Sequence, residues 1–305
     1  MCHLLSEWRI PAIRNWCRGM ARQYCLIRFD NAGSGLSDDR AGDFSLDAIA
    51  DEIAVVADAL GLRRFALFGR ITGGLPAIVF AARHPERVTD LVLWNSFADH
   101  RRHGGEARMK AVLDLAATDW QLFTESISQA ALGWQDGPTA RAWAEVLRTA
   151  TSQETFLKYL KARTSWDVTD LLGGIRARTL VMYDLNNELV NAARDQELAA
   201  AIPDARLAAV RSDGGVPGDE AIAAIEAFLG DAEAPAGGLP ELTRRENEVV
   251  AVLITGASNQ QIARSLSISV NTVTRHLTHI FDKLGVTSRS EAIARILAAS
   301  GDRIP

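Results

Sequence analysis

Short, unbroken apolar runs alternate with stretches of helical periodicity along residues 1–229. The runs YCLIRFD (24–30), RFALFG (64–69), VTDLVLW (88–94), ARTLVMY (177–183) and ARLAAV (205–210) predict strands. Apolar positions three and four apart predict helices over 46–60, 74–83, 192–201 and 219–229. Strands without polar alternation, each followed by a helix, imply a mostly parallel sheet covered on both faces. Between about 97 and 170 only helical spacing appears, which predicts a helical cap inserted into the sheet domain. The segment GDAEAPAGGLP (230–240) is small, acidic and rich in Gly and Pro, as a linker is. The expected organisation is therefore an α/β body over 1–229, a linker over 230–240 and a small all-α domain over 241–305.

Helical spacing in that last domain falls into four segments, near 243–255, 258–266, 270–284 and 288–299. Three open with a capping-box pair: Thr243 with Glu246, Ser258 with Gln261, and Ser288 with Glu291. Gly256 and Gly285 stand where helices should stop. Only Ser267, Ile268 and Ser269 separate the second helix from the third, the spacing of a helix-turn-helix. On the third helix Val270, Val273, Leu277, Ile280, Phe281 and Leu284 form an apolar stripe. Asn271, Thr272, Thr274, Arg275, Thr278 and Lys283 form the polar face, and Val273 lies early enough to meet a thymine methyl instead. Spacing alone allows two readings, a groove-reading helix or a four-helix bundle with a solvated face.

The segment LT-x-RE (Leu242, Thr243, Arg245, Glu246), SNQQIA (258–263), S-x-x-TV-x-x-H (Ser269, Thr272, Val273, His276) and KLGV-x-SR-x-EA (Lys283 to Ala292) resembles the DNA-binding domain of LuxR-type (GerE-like) bacterial regulators. The resemblance implies binding of double-stranded DNA by a homodimer, with Asn271, Thr272, Val273, Thr274, Arg275, His276 and Lys283 at the interface. Thr274 and Arg275 would face bases, and Thr272, His276 and Lys283 phosphates. Thr274 stands where that family commonly has Lys, and a missing cation flattens the salt dependence of binding.

Charge sharpens this only mildly. Residues 240–305 carry 8 basic against 6 acidic side chains and residues 1–239 carry 25 against 32, within a net charge of −5. An acidic body repels DNA, so attraction must come from a local basic face of the tail. Across 305 residues, 48% apolar and 23% charged, no apolar run reaches the roughly 18 residues of a membrane span. MCHLLSEWRIP lacks the order of a signal peptide. The expectation is a cytoplasmic protein without membrane contact. Cys2, Cys17 and Cys25 lack metal-ligand spacing, so free thiols and neither metal nor cofactor are expected.

FALFGRITGGLPAIVFAARHPERVTDLVLWNS resembles the nucleophile-elbow region of α/β-hydrolases. FDNAGSGLSDD is similar to their DxRGxGxSD turn, and TLVMYDLNNELV with AAAIPDARL to the strand and helix around their acid. The resemblance implies that fold and a Ser, acid, His triad in chain order. The corresponding positions are Ile71, Asn187 and Val216, none of which can do the work of the residue it replaces, with Asp184 and Glu188 close by in sequence. No histidine lies between His103 and His276, so a standard triad is excluded. Hydrolases of this kind place a hairpin and a central strand before the segment matching HLLSEW (3–8). Either the domain lacks central strands, leaving edges that other structure must cover, or the recorded start lies downstream of the real one.

What these residues leave is a concave, capped pocket for a small, partly apolar effector. Arg70, Ile71, Thr72, Trp94, Trp120, Trp134, Trp143 and Val216 are its expected lining. Arg70 has two readings, an anchor for a ligand carboxylate or phosphate, or a local ion pair. Two other functions stay open: a ligand-independent regulator whose body dimerises or binds a partner, and a hydrolase with non-standard catalytic residues.

Overall fold

The computed structural model describes residues 3–38, 43–101, 106–132, 136–185, 192–213, 215–231, 242–254, 257–284, 289 and 292. The chain divides into two compact units, Met1–Gly230 and Asp231–Pro305.

In the first unit, strands β1 (Phe65–Arg70), β2 (Val88–Trp94), β3 (Arg178–Asp184) and β4 (Ala205–Val210) form one all-parallel sheet in the order β1-β2-β3-β4. Leu67 pairs with Leu91, Leu93 with Val181, and Val181 with Leu207. Side-chain alternation splits the core in two. Leu91, Leu93 and Val181 point to the face covered by α3 (Leu46–Ala59) and α4 (Gly74–Arg83). Val92, Trp94, Leu180 and Met182 point to the other face, covered by α2 (Pro11–Met20) and α10 (Asp219–Gly230). Helix α2 follows a four-residue turn of helix, α1 (Leu4–Glu7), and α9 (Ala192–Ala201) lies between β3 and β4. Local chemistry starts these helices: Pro11 occupies the first turn of α2, and the Ser45 hydroxyl accepts from the Ala48 amide at the head of α3.

The expected strand over 24–30 does not form. The segment joins no ladder, and β1 is an edge of the sheet among the described residues. Tyr24 and Leu26 pack beside Phe68 on the α2 face, so the run buries apolar surface without pairing. An apolar pattern records burial; a strand also needs a neighbour.

Among the described residues the cap is built by α5 (Glu106–Thr118), α6 (Trp120–Ala131), α7 (Gly137–Ala150) and α8 (Gln153–Arg163). Asp119, Asp136 and Ser152 cap the last three through their side-chain oxygens. The base of the cap is closed by a bridge between Asp99 and Asp167, where the His100 amide donates to the Trp166 carbonyl and the Val168 amide to Ala98. Arg101 ties the same two aspartates.

The second unit holds α11 (Arg244–Leu253), α12 (Asn259–Leu266) and α13 (Val270–Leu284) around Val249, Leu253, Ile262, Val273, Leu277 and Ile280. The expected helix over 288–299 lies outside the described residues. No helix among the described residues is long and apolar enough to cross a membrane.

Candidate nucleic-acid interface and hydrolase elbow

Two of the expected capping boxes are formed in full. Thr243 Oγ1 accepts from the Glu246 amide while Glu246 Oε2 accepts from the Thr243 amide at 2.7 Å. Ser258 and Gln261 repeat the pattern, again with a 2.7 Å return bond. Ser288 and Glu291 lie outside the described residues. Ser267 takes a left-handed conformation, φ +52°, and ends α12 while the Ile268 amide donates to Ala263. The Ser269 hydroxyl then accepts from the Thr272 amide and opens α13. Two helices are thus joined by a three-residue turn, with α13 presenting its N-terminal half to solvent.

On that half Asn271, Thr274 and Arg275 are exposed, Thr272 and His276 half-buried. Arg275 has no ion-pair partner among the described residues, which leaves its planar fork open to a base edge or a phosphate. Val273 is corrected: it is 0% exposed and packs in the core, so it meets no thymine methyl. Val270, expected in the apolar stripe, is 41% exposed. The stripe reading of Val273 holds, since Val273, Leu277, Ile280 and Leu284 complete the buried stripe, and Val270 falls off its end. Thr278 and His279 are exposed on the same side as Arg275, one turn on. Sequence reasoning placed Thr278 on the polar face without assigning it a contact and passed over His279.

Lys283 has a task inside the domain. Its Nζ lies 2.6 Å from Glu246 Oε2, a carboxylate with a side chain only 4% exposed. The Lys283 hydrogen bond and the Thr243 amide hold the Glu246 carboxyl well below its usual range, at about 2. Arg289 reaches back to Asn259 Oδ1 at 3.0 Å. These ion pairs and hydrogen bonds orient the helices of the motif.

In the first unit the strand-to-helix turn after β1 keeps the shape of a nucleophile elbow. Ile71, at its apex, has φ +52°, a conformation that a β-branched side chain adopts at a cost of order 1–3 kcal/mol. The Ser96 hydroxyl donates to the Ile71 carbonyl at 3.0 Å and helps hold it there. Close backbone approach falls on Gly69 and Gly74. A Cβ on Gly69 would lie 2.7 Å from the Gly74 Cα, and one on Gly74 would collide with Ser96. Gly73, the second glycine of the motif read from sequence, has open space around it.

Around this apex the expected lining sorts into three groups. Thr72 Oγ1 meets the Tyr159 hydroxyl at 3.1 Å and Trp120 packs on the cap cluster with Phe123 and Phe156, whereas Arg70, the cross-strand partner of Trp94, lies 5.1 Å from the centre of the Trp143 ring on the α2 and α10 face. Trp94 and Val216 are corrected. Both are 0% exposed and belong to the core on the α2 and α10 face, because alternation along β2 turns Trp94 away from the α4 side. Trp134 and Asn187 lie outside the described residues. Two surface clefts, of about 360 and 550 Å³, open elsewhere, one at Gly33, Gly35, Arg148 and Ser152 and one at Phe44, Lys158, Trp166 and Asp167.

A buried carboxyl that sequence reasoning missed lies close by. Asp195 on α9 is 0% exposed, neither oxygen makes a hydrogen bond of normal geometry, and burial pushes its pKa up to about 7 against the weak pull of its own amide and that of Ser96. No pattern in the sequence distinguishes it from an exposed helical aspartate.

A parallel sheet with a capped elbow, followed by a helix-turn-helix with an exposed reading face, defines a hydrolase-fold body joined to a DNA-binding tail. The chain belongs to the α/β hydrolase fold family, which it matches over residues 7–214, and residues 240–296 match the bacterial regulatory proteins of the luxR family. The body is 27% identical over 214 residues to RutD of Pseudomonas savastanoi pv. phaseolicola, a protein named for carbamate hydrolysis, covering 67% of this chain and 82% of the relative. The tail is 43% identical over 75 residues to a Mycobacterium bovis protein named as an HTH-type transcriptional regulator, covering 25% of this chain and 8% of that one. Among solved structures, an esterase of Exiguobacterium antarcticum has a TM-score of 0.62 at 20% identity, covering 73% of this chain and 89% of its own. The enol-lactonase of Burkholderia xenovorans has a TM-score of 0.59 at 20% identity, covering 76% and 86%.

Proposed function

We propose that this chain is a cytoplasmic transcription regulator that binds two-fold-related sites on duplex DNA as a homodimer. Its hydrolase-like body does not hydrolyse; it responds to a small, partly apolar molecule. The observation that carries the non-catalytic reading is Ile71 at the apex of an intact elbow, since a hydrocarbon there cannot attack a carbonyl. Thr72 does not replace it, because its oxygen accepts from the Tyr159 hydroxyl and, among the described residues, no histidine or lysine hydrogen-bonds to it. The relatives named as hydrolases make turnover the first thing to test. The full-length protein, offered a chromogenic ester, gives no rate above the buffer blank. A rate that Thr72→Val abolishes contradicts the proposal.

Effector binding rests on the aromatic floor of the cap, where Trp120, Phe123, Phe156, Tyr159 and Trp166 form a continuous cluster beside the elbow. A ligand that favours one state of the body shifts the population of DNA-competent dimers. A panel of lactones and aromatic acids at a hundredfold excess over Kd raises the melting temperature by about 5–10 °C for a binder. A second reading is favoured by the Tyr159–Thr72 contact, which lies beside the elbow. In it the body serves dimerisation alone, and no member of the panel shifts the melt.

A further inference from the structure

The exposed threonines of α13 are turned in a way that changes what the helix offers to DNA. Thr274 Oγ1 donates to the Val270 carbonyl at 3.0 Å, and Thr278 Oγ1 donates to the Thr274 carbonyl at 3.1 Å. Such back-bonding commits each hydroxyl proton to the preceding turn, so outwardly each side chain offers its γ-methyl and an acceptor oxygen but no donor. Residues 270, 274 and 278 follow one another at four-residue steps, so Val270, 41% exposed, continues the same row. The row spans about 12 Å along the helix at 1.5 Å per residue. It is flanked by Asn271, exposed, and by Arg275, which no acidic side chain neutralises among the described residues.

We propose that this row reads the C5-methyl groups of thymine in the major groove, so that the half-site is a thymine-bearing sequence recognised by methyl contact beside one or two hydrogen-bonded bases. The proposal rests on the tail binding duplex DNA and names the chemistry of its target. Thymine is the base that carries an apolar group on the major-groove edge, and threonine methyls and small aliphatic side chains are its natural contacts. Arg275 supplies a bidentate donor for a guanine and Asn271 one for an adenine, which fixes the register in which the methyl row meets its thymines. Thr274 and Thr278 thereby become specificity residues. A lysine at 274 would add attraction to phosphate and carry no sequence information of this kind.

The test begins by selecting duplexes from a random library with the full-length protein, and then replaces each thymine of the selected half-site by deoxyuridine, which removes the methyl and nothing else. Each contacted methyl is worth about 0.8 kcal/mol, or about fourfold in Kd, so two or three substitutions should together weaken binding by about fifteen- to sixtyfold. Thr274→Ser and Thr278→Ser keep the hydroxyl and lose the methyl, so each should bind the thymine site about fourfold more weakly and no longer distinguish thymine from deoxyuridine at the one position it contacts, while the other positions stay sensitive. Thr274→Val keeps the methyl and should retain the discrimination. Tight, selective binding that is indifferent to deoxyuridine overturns the methyl reading and leaves DNA binding intact. No enrichment of any duplex overturns the DNA-binding premise, and the methyl reading with it.

Discussion

Glu246 is 3% exposed and draws its partners from Thr243 and Lys283, so a side chain expected on a phosphate instead neutralises a buried carboxylate. Lys283→Met should therefore cost about 1–3 kcal/mol of stability in the tail, by leaving a buried charge with one partner fewer, and urea unfolding measures it. The carboxyl's folded pKa is depressed from 4.5 to about 2, so its contribution is complete above pH 4.5 and is lost as the pH falls toward 2. Asp195 has the opposite sign. Its folded pKa is raised from 3.8 to about 7, so the folded state resists giving up the proton and stability falls as pH rises from about 4 to 7, then levels. Asp195→Asn removes that slope, and urea midpoints collected across pH 4–8 should diverge most from the natural protein at the upper end. Parallel curves would contradict the burial of this carboxyl. Arg275→Ala should lower DNA affinity by about 1–3 kcal/mol and relax base preference, read by titration against variant duplexes.

Elements were legible where local chemistry decides them. Strands at 88–94 and 205–210, helices at 74–83, 192–201 and 270–284, and both described capping boxes follow from apolar spacing and from Ser or Thr three residues before Glu or Gln. Ser258→Ala should cost about 1 kcal/mol, because it strips α12 of the oxygen that receives the Gln261 amide. What sequence could not give was each element's surroundings. Residues 24–30 read as a strand and lack a ladder. Trp94 read as pocket lining and faces the opposite side of its sheet. Val273 kept its place in the stripe and lost its second reading as a methyl contact, while Val270, at the first position of the helix, lies beyond the buried stripe. The elbow was legible as a motif, yet the glycine that permits close approach, Gly74, lies one position beyond the motif's second glycine.

For the whole molecule, the sequence separates a body with 25 basic against 32 acidic side chains from a tail with 8 against 6, and the tail's reading face carries Arg275 with two half-polar threonines. Binding that depends on so few cations should show a shallow slope of log affinity against log salt, with each phosphate contact contributing about 0.9. The body keeps the left-handed apex that presents a nucleophile in its family, and fills it with Ile71. Ile71→Ser alone should not produce ester turnover, since no histidine lies between residues 104 and 275 to activate it. Measurable turnover would overturn the non-catalytic reading. The most direct test of the central claim is a genome-wide binding profile of the full-length protein in its own cell, with Arg275→Ala as the control. Enrichment at discrete sites with two-fold-related, thymine-bearing halves, lost in the variant, is the predicted result. A profile without sites, or one unchanged in the variant, would contradict the account.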